Sequence, residues 1–203
     1  MKLKVCGMRE EDNLLQLIAL QPNFIGLIFH ENSSRNVIES LHVKLPEDIT
    51  LTGVFVDESE AFILKKVEHY NLKGIQLHGN ESPAFCQQIQ NKGLVVLKAF
   101  NIHDDFDFSV IAPYHGCCTY FLWDAFGKNA GGNGIAFNWE LLAHYKGTTP
   151  FLLSGGIDAT MAESLKKIKH PMFKGIDINS KFELKPAVKD IEKIKLFKTQ
   201  LKS

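Results

Sequence analysis

Short apolar runs recur along the chain at Leu3–Cys6, Phe24–Phe29, Leu51–Val56, Gly74–Leu77, Val95–Ala99, Tyr120–Trp123, Phe151–Leu153 and Gly175–Ile178. They are rich in β-branched and aromatic residues, too short for helices, and apolar at successive rather than alternate positions. That is the pattern of parallel strands covered on both faces. Their starts lie a little over twenty to about thirty residues apart, which leaves room for a strand, a loop and one returning helix. Between them, Glu11–Leu20 carries Leu14, Leu15, Leu17 and Ile18 on one side, and Ala61–Tyr70, Pro83–Asn91, Met161–Ile168 and Val188–Leu201 behave similarly, so all five are predicted as amphipathic helices. Caps support several of them. Asp57 with Glu60 forms a capping-box-like pair, Ser82 precedes a proline suited to a first helical position, and Asp158 can cap the helix before Met161.

Eight strand-and-return units predict a closed (β/α)8 barrel rather than an open doubly wound sheet. At 203 residues this is one domain, 1–203, with little added. Function in such a barrel sits at the carboxyl ends of the strands. Those ends read Cys6–Arg9, His30 through Arg35, Asp57, His78-Gly79, Phe100, Asp124, Ser154-Gly155-Gly156 and Asp177 through Ser180. The stretch from Thr119 to Trp139 draws the eye first. An aromatic-rich run stops at Asp124, a loop with Gly127, Gly131, Gly132 and Gly134 follows, and a helix-like segment begins near Phe137. A carboxylate on the rim of a buried strand, beside a loop that can cover it, is how an active-site acid is commonly placed.

Composition narrows the partners. Basic and acidic residues balance, 23 against 23, so no net field favours nucleic acid or an anionic membrane. The start, MKLKVCGMREED, lacks the apolar run of a signal peptide, and no segment is long enough to span a bilayer. Cys6, Cys86, Cys117 and Cys118 have neither zinc-site nor disulfide-framework spacing, which fits reduced thiols in a cytoplasm. The histidines show no ligand spacing, and neither a metal nor an organic cofactor is expected.

The only arginines are Arg9 and Arg35, both just beyond a strand. An arginine fork pairs bidentately with carboxylate or phosphate. Arg35, within SSRN, is assigned an anion-binding role, and Arg9 is read as a solvated surface residue. Gly155-Gly156 lets backbone amides approach a ligand closely, and with the next strand end at Asn179-Ser180 it forms the usual phosphate cradle of these barrels. Cys6, at a barrel mouth, is a candidate base or nucleophile, since a modest depression from about 8.5 would bring its thiol near operating pH. Asp124, after Leu122 and Trp123, is expected in apolar surroundings that keep its proton available for donation. The other three cysteines are read as structural, and His78 as a hydrogen-bonded rim histidine able to line the pocket.

Taken together these stretches resemble the phosphoribosylanthranilate isomerases of tryptophan biosynthesis. The resemblance runs through KVCG at 4–7, Phe29 to Arg35, GVFVD at 53–57, QLHG at 76–79 and the Asp124 strand end. It continues with GGNG at 131–134, SGGI at 154–157, and Asp177 with Glu183, Lys189 and Asp190. It implies an Amadori rearrangement of a small phosphoribosyl substrate, with Cys6 as general base and Asp124 as general acid. Substrate binding would fall to Arg35, Asp177, His78 and Gly132, and phosphate binding to Gly155, Gly156, Asn179 and Ser180. The family occurs as monomers and homodimers. This chain departs from the usual pattern at Ser34 (proline), Asn133 (threonine), Asn138 (aspartate) and Lys181 (glycine). Lys181 either reshapes the phosphate loop or adds its own charge to it.

Two other readings compete. A related phosphosugar barrel enzyme needs either a catalytic lysine near an early strand end, for which Lys4 and Lys98 are poorly placed, or paired acidic rim residues. A non-catalytic phosphosugar-binding module would need neither Cys6 nor Asp124.

Overall fold

The computed structural model describes residues 1–39, 41–125 and 139–202, and for Ala125, Trp139 and Glu140 the backbone only. All eight predicted strands are present: β1 (Lys2–Cys6), β2 (Phe24–Ile28), β3 (Thr50–Phe55), β4 (Gly74–Leu77), β5 (Val95–Ile102), β6 (Tyr120–Ala125), β7 (Phe151–Ser154) and β8 (Phe173–Ile178). Each pairs in parallel with the next, and β8 closes on β1 through Lys4 opposite Asp177 and Val5 opposite Ile178. The expected (β/α)8 barrel is therefore the observed one.

Side-chain alternation divides the core in two. Outward positions such as Val5, Ile25, Phe55, Leu77, Val96, Trp123, Phe151 and Ile176 pack beneath the helices in one large cluster. Inward positions Phe24, Leu97, Ala99, Leu122 and Leu152 form a second, smaller cluster inside the barrel. Among the remaining inward positions four are polar and buried: Lys4, Thr52, Gln76 and Asp177. Buried polar and charged groups are costly unless paired, so their concentration on one side of the barrel interior marks where the fold carries chemistry.

The returns are less uniform than the strands. Helices α1 (Glu11–Ile18), α2 (Glu60–Tyr70), α3 (Pro83–Gln90), α4 (Ala162–Lys166) and α5 (Ile191–Lys202) match the five predicted segments. Short 3-10 helices, Phe108–Tyr114 and Trp139–His144, precede β6 and β7, and no helix lies between β2 and β3 among the described residues. There, Val37 donates its amide to Ile28 O and is buried, so the chain is held by a single bridge instead.

Three local expectations need correction. Ser59, not Asp57, caps α2 by accepting from the Phe62 amide. Asp57 instead adopts φ 53° and uses its carboxylate on the amide of Asn80. The segment at Met161 begins as a 3-10 turn, Ala159–Met161, capped by Asp158, before α4. Val188 and Lys189 are not helical; they form β10 (Val188–Lys189) against β9 (Glu183–Lys185). Asn13 of α1 stabilises this pairing by bonding both the amide and the carbonyl of Lys189, which a helix at that point would have used internally.

Candidate active site

The inward face of each strand alternates, so β1 presents Lys4 and then Cys6 to the interior, β4 presents Gln76 and then His78, β6 ends on Asp124, and β8 presents Asp177 and then Asn179. A cleft of about 280 Å3 opens at the carboxyl ends of the strands. Its walls include Cys6, His78, Asp124, Gly155, Gly156, Asp177, Asn179, Ser180 and Lys181. Eight of the ten sequence-predicted site residues are therefore brought together in one cavity. Arg35 stands beside it: a side-chain carbon built on Gly7, whose φ is +76°, would lie 2.7 Å from Arg35 Cδ and 2.8 Å from Asn179 Oδ1. Gly132, with the rest of the glycine-rich segment 126–138, lies outside the described residues.

Asp124 is not enclosed by its apolar sequence neighbours. Trp123 points outward and stacks on Phe151 at 3.7 Å between ring centroids. What meets the Asp124 carboxylate is the imidazole of His78, 3.3 Å from Nε2 to Oδ2. The other ring nitrogen of His78 is 2.7 Å from the amide nitrogen of Gln76. His78 is thus the rim histidine foreseen from the sequence, and its partner is the candidate acid.

Cys6 is buried rather than exposed at the mouth. Burial pushes its thiol up from the ordinary value, opposite to the depression expected, and only in part do Lys4 and Lys189 counter this; Asp177 adds to the rise. Beneath the cleft floor Lys4 Nζ lies 2.8 Å from Asp177 Oδ2, both side chains out of contact with solvent. Burial works against the Lys4 ammonium, but Asp177 and Cys6 outweigh it and hold it protonated. Burial pushes the Asp177 carboxyl up, against the pull of Lys4. Asp177 lines the cleft, and its Oδ1 is buried without a hydrogen-bond partner, which leaves acceptor capacity to spare.

Arg35 makes a two-point contact with Glu183, Nη2 to Oε2 at 2.6 Å and Nε to Oε1 at 2.9 Å. Lys189 Nζ donates to the same carboxylate at 2.6 Å and to Asn179 Oδ1 at 2.7 Å. One carboxylate therefore ties Arg35 to Lys189 and, through it, to Asn179. Burial alone would push Glu183 up, yet hydrogen bonds from Arg35 and Lys189 reverse this and hold it below its usual value. A carboxyl depressed in the folded state stabilises above its unfolded pKa of about 4.3, and that contribution is lost as pH falls through the folded value. Glu183→Gln is accordingly expected to flatten the acid limb of the stability curve below about pH 4.3, read by urea unfolding at stepped pH. An unchanged limb would contradict it. Arg9, as expected, is a surface residue, paired with Glu10.

The sequence reading missed Lys4 and Gln76. The available signal was parity, since both fall at inward positions of strands otherwise filled by apolar residues. A larger groove of about 780 Å3, lined among others by Leu142, Tyr145, Lys167 and His170, lies where the returning segments lead into β7 and β8, away from Cys6 and Asp124. Among the described residues no group of three or more His, Cys, Asp or Glu is arranged to hold a metal ion, and no helix is long and apolar enough to cross a membrane.

A sequence profile described as N-(5'phosphoribosyl)anthranilate (PRA) isomerase matches residues 3–200. The chain belongs to the N-(5'-phosphoribosyl)anthranilate isomerase family. A relative of that name from Parabacteroides distasonis is 43% identical over 206 residues, spanning 99% of this chain and 93% of the relative. The crystal structure of phosphoribosyl anthranilate isomerase from Thermotoga maritima superposes with a TM-score of 0.87 at 26% identity, covering 100% of this chain and 98% of that one. A second crystal structure of the isomerase, in complex with reduced 1-(o-carboxyphenylamino)-1-deoxyribulose 5-phosphate, gives 0.84 at 26% identity, with coverage of 100% and 98%. The chain is thus an isomerase of tryptophan biosynthesis by family.

Proposed function

We propose that the chain converts N-(5'-phosphoribosyl)anthranilate to 1-(2-carboxyphenylamino)-1-deoxyribulose 5-phosphate, with Asp124 as general acid and Cys6 as general base. Protonation of the furanose ring oxygen by Asp124 breaks the C1'–O bond and leaves an iminium at C1'. The Cys6 thiolate then takes the C2' proton, and the C–H electrons form the C1'=C2' bond as the iminium is neutralised. Tautomerisation of the resulting enol to the C2' ketone completes the rearrangement, and no redox partner is needed. The observation that carries this reading is the shared cleft: a cysteine, a rim carboxylate and a buried carboxylate with an unpartnered oxygen wall one cavity in a chain of this family.

The other roles follow from charge and position. Arg35 would receive the anthranilate carboxylate, Asp177 Oδ1 would accept from a ribose hydroxyl, and His78, beside Asp124, lies where it can contact the reacting sugar. The glycine-rich segment, Gly132 included, is assigned to the substrate through the family resemblance. The phosphate would rest on amides of Gly155, Gly156, Asn179 and Ser180; the two glycines have φ of 85° and 68°, a turn that side chains disfavour. The only partner proposed is this small phosphoribosyl substrate, acting on a monomer or homodimer in the cytoplasm, without cofactor, nucleic acid or membrane.

Purified protein mixed with freshly generated phosphoribosylanthranilate is expected to abolish the anthranilate fluorescence of the substrate with multiple turnovers. Tight binding without loss of signal would instead identify a binding module. Lys181 supports the phosphate reading in a way particular to this chain: it lines the cleft, and its own carbonyl accepts from Lys193 Nζ at 2.7 Å. An exposed charge of this kind is worth about 0.2–1 kcal/mol, so Lys181→Gly is expected to weaken binding of the phosphorylated product by a factor between about 1.4 and 5. Unchanged affinity by calorimetry would show that the backbone alone carries the phosphate.

A further inference from the structure

Cys6 presents a difficulty: a base must shed its proton, and burial opposes the thiolate. The surroundings contain the remedy. A side-chain carbon built on Gly26 would lie 2.8 Å from Cys6 Sγ and 3.2 Å from Lys4 Nζ, so the sulfur and the ammonium share the space that Gly26 leaves open. Lys4 and Cys6 are neighbours in that space, and the position of Lys4 is held by Asp177 at 2.8 Å.

The charges facing Cys6 can be counted. From β1 comes Lys4, from β8 Asp177, from β10 Lys189, and from the segment after β2 Arg35. Glu183 pairs with the last two. Three cations therefore meet two carboxylates, and one further negative charge completes the balance. Asp124 and His78, on β6 and in the turn after β4, pair with each other across the cleft. Lys189 is directed to Glu183 and Asn179 and Arg35 to Glu183, whereas Lys4, while paired with Asp177, shares with the sulfur the space at Gly26.

We propose that Lys4 is a positioning residue for the isomerisation: its ammonium, anchored by Asp177, stabilises the Cys6 thiolate without touching substrate. The proposal rests on the reading of Cys6 as general base. In a purely structural ion pair, Lys4 and Asp177 would matter for folding alone. Here they act on the thiol in opposite senses. Removing the ammonium makes the thiolate harder to form, and removing the Asp177 charge while Lys4 remains makes it easier.

The test is the thiolate absorbance near 240 nm, titrated for wild type and each variant after subtracting the matching protein carrying Cys6→Ser, with folding checked by circular dichroism. Lys4→Met is expected to raise the Cys6 midpoint by at least about one pH unit, a tenfold loss of thiolate at neutral pH. It should also lower kcat, with the acidic limb of its pH profile moved upward and KM little changed. Asp177→Asn is expected to lower the same midpoint. An unmoved midpoint in folded Lys4→Met, or shifts of one sign in both variants, would overturn the proposal. Should Lys4→Met fail to fold, Lys4→Gln, which keeps a polar end without the charge, takes its place: a rise of the midpoint supports the proposal, and no change or a fall overturns it. If Cys6→Ala still turns over while both midpoints shift as expected, the base reading fails and the electrostatic coupling stands.

Discussion

Cys6→Ala is expected to lower kcat by roughly 10²–10⁴-fold, the usual contribution of a positioned acid or base, with KM changed no more than a few-fold. The variant keeps Asp124, so the ring can still be opened, but the C2' proton is then left to water, a far weaker base than a thiolate. Cys6→Ser should not restore the rate, because a hydroxyl is a far weaker acid than a thiol and no thiolate equivalent forms at neutral pH. The barrel should tolerate both changes. Cys6 is small, and a typical substitution costs about 1 kcal/mol. The measurement is the fluorescence decay of phosphoribosylanthranilate with enzyme and variants at equal, folded concentration. Turnover within about tenfold of wild type would remove Cys6 from the mechanism.

Asp124→Asn is expected to reduce kcat by a comparable factor, about 10²–10⁴-fold, for the complementary reason. The amide keeps the size of the side chain and can still meet His78, but it has no carboxylic proton to give the ring oxygen. The loss should fall on kcat more than on KM, as for a group whose help is realised in the transition state. Combining Asp124→Asn with Cys6→Ala should cost much less than the product of the two single losses, because the second proton transfer acts only on what the first has opened. Full multiplicativity of the two effects would indicate that the residues do not serve one reaction sequence. His78 provides a control. If the Asp124 loss came merely from breaking the 3.3 Å contact with His78, the isosteric amide would be a mild change.

Much of this site was legible without coordinates, and for a definite reason. A parallel barrel buries every strand on both faces, so its strands are written as continuous apolar runs that end where solvent begins. Cys6, His78, Asp124 and Asn179 were found by reading those ends, and the cleft does contain them. The caps at Ser82 and Asp158 were equally local. The capping role given to Asp57 was not, because its carboxylate serves Asn80, more than twenty positions away. Likewise Val188 and Lys189 carry a helical pattern, but Asn13, 176 positions distant, makes the bonds that keep Lys189 in a strand.

The sequence by itself determined the architecture, the face on which chemistry lies, and the residue types available there, because strand period, strand spacing and turn residues are properties of neighbouring positions. Only the tertiary structure decided how those residues are charged and held. That Trp123 leaves Asp124 to His78, that Cys6 is buried against Lys4, and that Arg35 and Lys189 share Glu183 all depend on contacts closed across the barrel. The ionisation of a buried group is set by the distances and signs of the charges around it, and those follow from how the strands come together rather than from the order of residues along any one of them.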